Sequence, residues 1–282
     1  MQIPDSPNYM EPLSVLIVLL PLFCTYLLTP LYIRWQERKN NLATNYQGKS
    51  IVSTGGVIFL ISLLVLIIPL HYYFREGKTI WGLLFIYITV VGVLGIIDDL
   101  WGEKDCKGFR GHLKKLWHGK EISTGLYKAI GGFLIAVFVS SRLGGEIWPD
   151  WLGKALFLAL FSNFFNLLDT RPARAAKIFF LISLLLILLG REYIWLLIPF
   201  WSMLLIYLYW ELETKIMLGD TGAYILGGAL GFYGILILPL YIVFIGNALF
   251  LILHYYCEKF SLGKFIEDHK SLFFLDSLGR RK

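Results

Sequence analysis

Apolar runs of bilayer length follow one another along almost the whole chain and leave little sequence for anything else. A hydrocarbon core of roughly 30 Å takes about 20 helical residues to cross, and about nine runs approach that length. They are Glu11–Ile33, Gly55–Phe74, Thr79–Ile97, Thr124–Ser141, Trp151–Leu168, Ala175–Gly190, Glu192–Leu212, Gly222–Ile235 and Leu236–Cys257. The sixth and eighth are short, and the last two could be one element bent at Pro239. With 57% hydrophobic and 16% charged residues, and a mean hydropathy of +0.65, the chain has little room for a soluble domain. The expected fold is all-α: a polytopic membrane protein of about nine spans. A single transmembrane domain is expected over residues 1–258, followed by a basic amphipathic tail over 259–282 that lies at the interface rather than crossing it.

Basic residues alternate in density from one connection to the next. Arg34, Arg38, Lys39 and Lys49 fall on one side, with Lys104 to Lys120, Arg171, Arg174, Lys177, Lys215 and the tail. The opposite side holds Arg75, Lys78, Arg142, Lys154 and Arg191. About 20 against about 5 places the richer side in the cytoplasm. The amino terminus is then outside and the carboxyl terminus inside, as an odd number of spans requires. The net charge of +6 is mostly this topology signal. Nucleic-acid binding is not expected, because the basic residues border apolar spans and no nucleic-acid motif is present. No cleavable signal is expected ahead of the first run. Cys24, Cys106 and Cys257 are too scattered for a disulfide framework or a zinc site.

Against this background a few polar groups stand out. Gly92–Ile97 runs apolar into Asp98 and Asp99, then stops at Gly102. Adjacent acids at a span end repel each other and resist desolvation, so they mark either the membrane boundary or a cation-bearing site. Gly48-Lys49-Ser50 leads to Ser53-Thr54-Gly55-Gly56, where small residues at a helix start could cradle an anion or serve as a packing face. Lys128, about one turn inside the fourth span, could snorkel outward or face inward toward an anionic substrate. Asn163, Asn166 and Asp169 repeat every three residues and share one helical stripe, suited to an interhelical seam or to an ion or substrate site. Gly219-Asp220-Thr221-Gly222 sets a carboxylate between glycines at a helix start, either as an N-cap or as a hard oxygen ligand for Mg²⁺. By the topology above, all of these lie on the cytoplasmic side. The histidines show no ligand spacing.

In order and in topological position, this set resembles the polyprenyl-phosphate N-acetylhexosamine-1-phosphate transferases, the family that includes the phospho-N-acetylmuramoyl-pentapeptide transferase of peptidoglycan synthesis. The resemblance covers most of the chain through Lys49 to Thr54-Gly55-Gly56, Gly95 to Asp99, Lys128, Asn163 to Asp169 and Gly219 to Gly222. It implies transfer of a sugar-1-phosphate from a UDP-sugar to a polyprenyl (undecaprenyl) phosphate, with release of UMP. Mg²⁺ is the implied cofactor, with Mn²⁺ as the alternative. It implies Asp220 as the principal metal ligand with Asn166 and Asp169 beside it, and Asp98 and Asp99, with Asp169, as catalytic acids. Lys49 and Lys128 are implied to hold phosphates, with Asn163 and Asn166 at the substrate. Implied too are a prokaryotic plasma membrane location, a cytoplasmic-facing site and a homodimer.

The chain departs from the family pattern after Asp169. Thr170-Arg171-Pro172-Ala173-Arg174 places Pro172 where a second acid or amide is usual, and the last histidine-rich loop is absent. Arg171 and Arg174 could bind diphosphate in compensation, or simply be positive-inside residues. A catalytically silent homologue that binds polyprenyl phosphate and a lipid or solute transporter are the competing readings. The transporter reading conflicts with the collection of polar groups at one membrane face rather than the midplane. The CDP-alcohol phosphotransferase pattern of spaced aspartates is not present.

Overall fold

The computed structural model describes residues 10–45, 47–73, 78–102, 123–145 and 147–280. The long basic loop after Gly102, with the basic residues from Lys104 to Lys120, lies outside the described residues. Each apolar run becomes a helix: α1 (Met10–Arg38), α2 (Gly56–Tyr73), α3 (Lys78–Trp101), α4 (Thr124–Leu143), α5 (Trp148–Leu168), α6 (Arg174–Leu189), α7 (Ile198–Leu212), α8 (Gly219–Ile237) and α9 (Leu240–Lys259). A two-stranded hairpin, β1 (Ala43–Thr44) with β2 (Ser50–Ile51), joins α1 to α2. Two short helices, α10 (Leu262–Asp268) and α11 (Lys270–Ser277), form the tail. Seven of the described helices are long and apolar enough to cross a membrane. Helices α2 and α6 are the shorter apolar members. The chain is thus an all-α polytopic membrane protein. Helices α8 and α9 are separate elements, broken at Leu238-Pro239 where the backbone is extended.

Apolar side chains face outward as well as inward, as a bilayer solvent permits. Phe23, Ile68, Leu188 and Leu249 are all exposed on the outer surface of the bundle. The polar load sits elsewhere. Asp98 and Asp99 end α3, Lys128 begins α4, Asp169 follows α5, Arg174 opens α6, Glu211 ends α7 and Asp220 opens α8. Helices that alternate in direction bring these termini to one end of the bundle.

Helix α8 is the axle of the bundle. Every residue from Thr221 to Ile235 is buried, and α2, α3, α5 and α6 all pack against it. Its sequence explains how so many neighbours fit. Without a hydrophobic drive between helices in lipid, close approach through small residues supplies the packing energy. A methyl at Gly227 would meet the Ser162 and Phe161 backbone of α5, one at Gly228 the Tyr87 ring of α3, and one at Gly231 the Leu158 side chain. From the facing side, Gly95 of α3 lies against the Thr221 backbone, and Gly56 of α2 lies against Gly222. Tyr87 closes the seam with a 2.8 Å hydrogen bond to Ser162.

This packing separates glycines that matter from glycines that do not. A Cβ at position 56 would overlap backbone atoms of Gly222, whereas one at Gly82 meets nothing within 4 Å. Gly56→Ala should destabilise the purified protein by about 1–3 kcal/mol or more, since backbone must move. Gly82→Ala, in the interior of α3, should be neutral or stabilising by about 0.5–1 kcal/mol. Thermal unfolding followed by size-exclusion chromatography in detergent checks both, and equal behaviour of the two variants would contradict the account.

Candidate functional site

The site is built on a backbone zipper between two segments distant in sequence. Met217 N–H donates to Val52 O at 2.8 Å, Gly55 N–H to Met217 O at 2.9 Å and Gly56 N–H to Leu218 O at 2.8 Å. Glycine is needed at 219 because φ is 68° there and because Ser53 O and the Asp99 carboxylate close over its Cα. The Gly55 and Gly56 N–H groups are therefore committed to carbonyls. Of the two readings of this motif, the structure supports the packing face over the anion cradle. The zipper is anchored to α1 by Gln36, buried, which donates to Tyr32 Oη at 2.7 Å and Thr54 Oγ1 at 2.9 Å. Lys49 is exposed on β2's approach, and among the described residues no contact joins its ammonium to the acids below.

Asp99 reaches from α3 to the start of α8. Its Oδ1 accepts from Asp220 N–H at 2.9 Å, and its Oδ2 accepts from Thr221 N–H at 3.1 Å and Thr221 Oγ1 at 2.6 Å. A helix start leaves such N–H groups without intrahelical partners, and the positive end of its dipole favours a carboxylate. Asp99 is thus a cap supplied in trans. The neighbouring Asp98 points the other way, into a cluster. Lys128 faces inward, only 7% exposed. Its ammonium donates to Asp98 Oδ2 at 2.6 Å and also to Asp220 Oδ2. The Asp98 and Asp220 carboxyl groups are themselves within hydrogen-bonding reach of each other.

Helix α5 contributes the remaining polar stripe. Asn166 Nδ2 lies 3.4 Å from Asp220 Oδ2, and Asp169 lies close enough to Asp220 and Asp99 for their charges to oppose its ionisation. Asn163 is one turn further in, where its Oδ1 accepts from Tyr224 Oη at 2.5 Å. The Tyr224 ring in turn sits 4.9 Å from the Lys128 ammonium, a cation–π contact that holds the lysine against its acids. So Asp98, Lys128, Asn166, Asp169 and Asp220 are brought together, while Asn163 supports them through Tyr224. Tyr224 was legible in principle, because it follows Asp220 by one helical turn.

Arg171 and Arg174 are placed differently from the expectation that they bind diphosphate. Arg174, 3% exposed, forks onto Asp276 of α11 through Nε at 2.8 Å and Nη2 at 2.9 Å. Arg171 pairs with Glu267 of α10. Both guanidinium groups are turned to carboxylates of the tail. A further residue passed over in the sequence is Glu211, fully buried beneath the site, whose Oε1 accepts from Leu218 N–H at 3.1 Å. It steadies the backbone just before Asp220.

No protein-family model matches the chain. A phospho-N-acetylmuramoyl-pentapeptide-transferase of Clostridium botulinum (strain Alaska E43 / Type E3) is 26% identical over 223 residues, covering 74% of this chain and 67% of that protein. A protein of the same description from strain Eklund 17B / Type B is 27% identical over 206 residues, covering 68% of this chain and 62% of that protein. The chain thus spans about two thirds of the length of these relatives. Both support the family that the motifs resemble.

The donor set suits a hard divalent cation. Asp169 Oδ1 is buried with no hydrogen-bond partner, and an orphaned buried acceptor costs on the order of 1–3 kcal/mol. Among the described residues no three His, Cys, Asp or Glu side chains form a ready-made cage. Mg²⁺ does not need one, because it binds through one or two carboxylates and keeps its waters for substrate phosphates. Asp169 and Asp220, flanked by the Asn166 amide, fit that requirement.

Burial, with the Asp220 carboxylate next, pushes the Asp169 carboxyl from its ordinary 3.8 up to about 8. In the unfolded chain it ionises near its ordinary value, while in the fold it keeps its proton to about 8. Between those values rising pH favours the unfolded state. In chelator-treated protein, Asp169→Asn should therefore raise the melting temperature by several degrees at neutral pH. Its advantage should vanish below about pH 4, grow toward about pH 8 and flatten beyond. Thermal unfolding across roughly pH 4–9 checks this, and parallel curves for the two proteins would contradict it.

Proposed function

We propose that this chain belongs to the polyprenyl-phosphate N-acetylhexosamine-1-phosphate transferase family, as its similarity to two such transferases supports, and transfers a sugar-1-phosphate from a UDP-sugar to a polyprenyl phosphate. The single observation that carries the reading is the convergence of Asp98, Asp169 and Asp220 with one buried lysine at the ends of separate membrane helices. Intramembrane ionisable groups are expensive and mark function by default. These line the end of the bundle, where a lipid phosphate and a water-soluble nucleotide can both arrive.

In the proposed reaction an oxygen of the lipid phosphate forms a bond to the sugar-bearing phosphorus of the donor. The bond from that phosphorus to the bridging oxygen breaks, and UMP leaves with it. A phosphate monoester is already mostly ionised at neutral pH, its second pKa being about 6, so no strong base is required. Asp98 is better suited to orienting Lys128 than to removing a proton. The Lys128 ammonium is a fixed positive charge that can steer the attacking phosphate. Asp169, Asp220 and Asn166 would hold the divalent cation. When bound, that ion offsets charge on the attacking and leaving oxygens. Asp99, committed to capping α8, acts by positioning Asp220. Basic loops at the same end of the bundle support a cytoplasmic-facing site in a prokaryotic plasma membrane, serving a lipid-linked envelope glycan such as peptidoglycan.

Purified protein with polyprenyl phosphate, Mg²⁺ and a panel of UDP-sugars tests the proposal. UMP release should require the lipid, and Asp220→Ala and Asp98→Asn should each lower kcat by about 10²-fold or more. Lipid binding with no UMP from any donor would favour a silent homologue. Lipid or solute movement across proteoliposomes without UMP would favour a transporter.

A further inference from the structure

Helices α10 and α11 turn their acids toward the loop that carries Asp169. That loop, residues 169–173, joins α5 to α6 and has an awkward backbone. Ala173 has φ 65°, a left-handed conformation that costs a non-glycine residue roughly 1–2 kcal/mol and persists only where its surroundings enforce it. The surroundings are residues of the tail. Arg280 donates to Pro172 O through Nη2 at 2.9 Å and Nε at 3.2 Å. Asp276, its side chain 5% exposed, receives both the fork of Arg174 and the Arg280 guanidinium at 3.3 Å. The remaining Arg174 nitrogen, Nη1, donates to Thr170 Oγ1 at 2.6 Å, immediately after Asp169. Lys177 ties the same strap from α6, donating to Asp276 O at 2.6 Å.

We propose that Asp276 is a positioning residue for the candidate active site. Through Arg174 and Thr170 on one side, and Arg280 and Pro172 on the other, it holds the strained loop so that Asp169 faces Asp220. This inference rests on the transferase reading for its effect on turnover, but the loop geometry stands apart from it. A bidentate arginine–carboxylate pair in a nearly dry site is directional as well as strong, so the strap fixes an orientation and does not merely attach the tail. The Asp276 carboxyl supports this: burial alone would raise its pKa, but hydrogen bonds from Arg174 hold it below the ordinary carboxylate range. The charge is kept because both arginines need it. Breaking one partner of such a pair leaves the other charge buried and uncompensated.

Hydrogen exchange of the full chain in detergent, paired with UMP-release kinetics, tests the strap. Asp276→Asn should speed exchange over residues 168–177 by about fivefold or more while α3 and α8 stay protected. It should lower kcat roughly ten- to a hundredfold with KM for the UDP-sugar within about twofold, the pattern of a misplaced catalytic group rather than lost binding. Arg280→Gln, which removes only the outer half of the strap, should give a smaller change of the same kind and serves if Asp276→Asn does not fold. Unchanged exchange over residues 168–177 would overturn the strap, and faster exchange with unaltered kcat would overturn its positioning role. A wild-type protein without UMP release would count against the transferase reading alone, with the exchange arm still deciding the strap.

Discussion

A helix buried from Thr221 to Ile235 must find acceptors for its first N–H groups within the protein, and most of this molecule can be understood as the answer to that constraint. Helix α8 starts inside protein, with Asp220 and Thr221 as its first turn. The missing acceptors come from another helix, through both oxygens of Asp99. For Asp99 to reach, α3 must approach closely, which Gly95 permits by lying on the Thr221 backbone. For the loop before α8 to hold its shape, residues 52–56 must zip to it, which Gly56 permits by lying on Gly222. Small residues and one carboxylate thus do the same job from two directions.

The acids around that helix start illustrate how function and stability pull apart. Asp98, Asp169 and Asp220 would repel one another in any dry site, and Lys128 answers only part of the charge. An apolar replacement of the whole cluster would pack with less electrostatic cost. Retaining it makes sense where the unanswered carboxylate has a ligand to meet. Lys128 itself is held by two carboxylates and by the ring of Tyr224, which is in turn hydrogen-bonded to the Asn163 amide. Preorganised charge of this sort costs no rearrangement when a substrate arrives.

The fold was legible because its signal is local. Run length and hydropathy depend on neighbours in sequence, so the helices follow the apolar stretches, and α8 merely begins a few residues earlier than the run Gly222–Ile235. The meeting of Asp98, Asp169 and Asp220 was legible for a related reason: alternating spans bring their ends to shared faces. What escaped was pairing at long range. Nothing near Arg174 in sequence announces Asp276, which is 102 residues away, and an arginine beside the candidate site reads equally as a phosphate ligand or a positive-inside residue. The capping role of Asp99 escaped in the same way, because two adjacent acids look alike until one is seen to cap a helix on another element. Lys49 fits the family's motif by position, yet the hairpin that bears it leaves it exposed.

The docking of the tail has a consequence for how the protein matures. Residues 262–280 are translated only after helices α1 to α9 have been made. Until they emerge, the turn following α5 has no counter-charge for Arg174 and nothing to enforce the backbone of Ala173. A nascent chain can therefore insert α1 to α9 in the bilayer while the acid on that turn is still unaligned, and the tail helices fix the turn only as they follow.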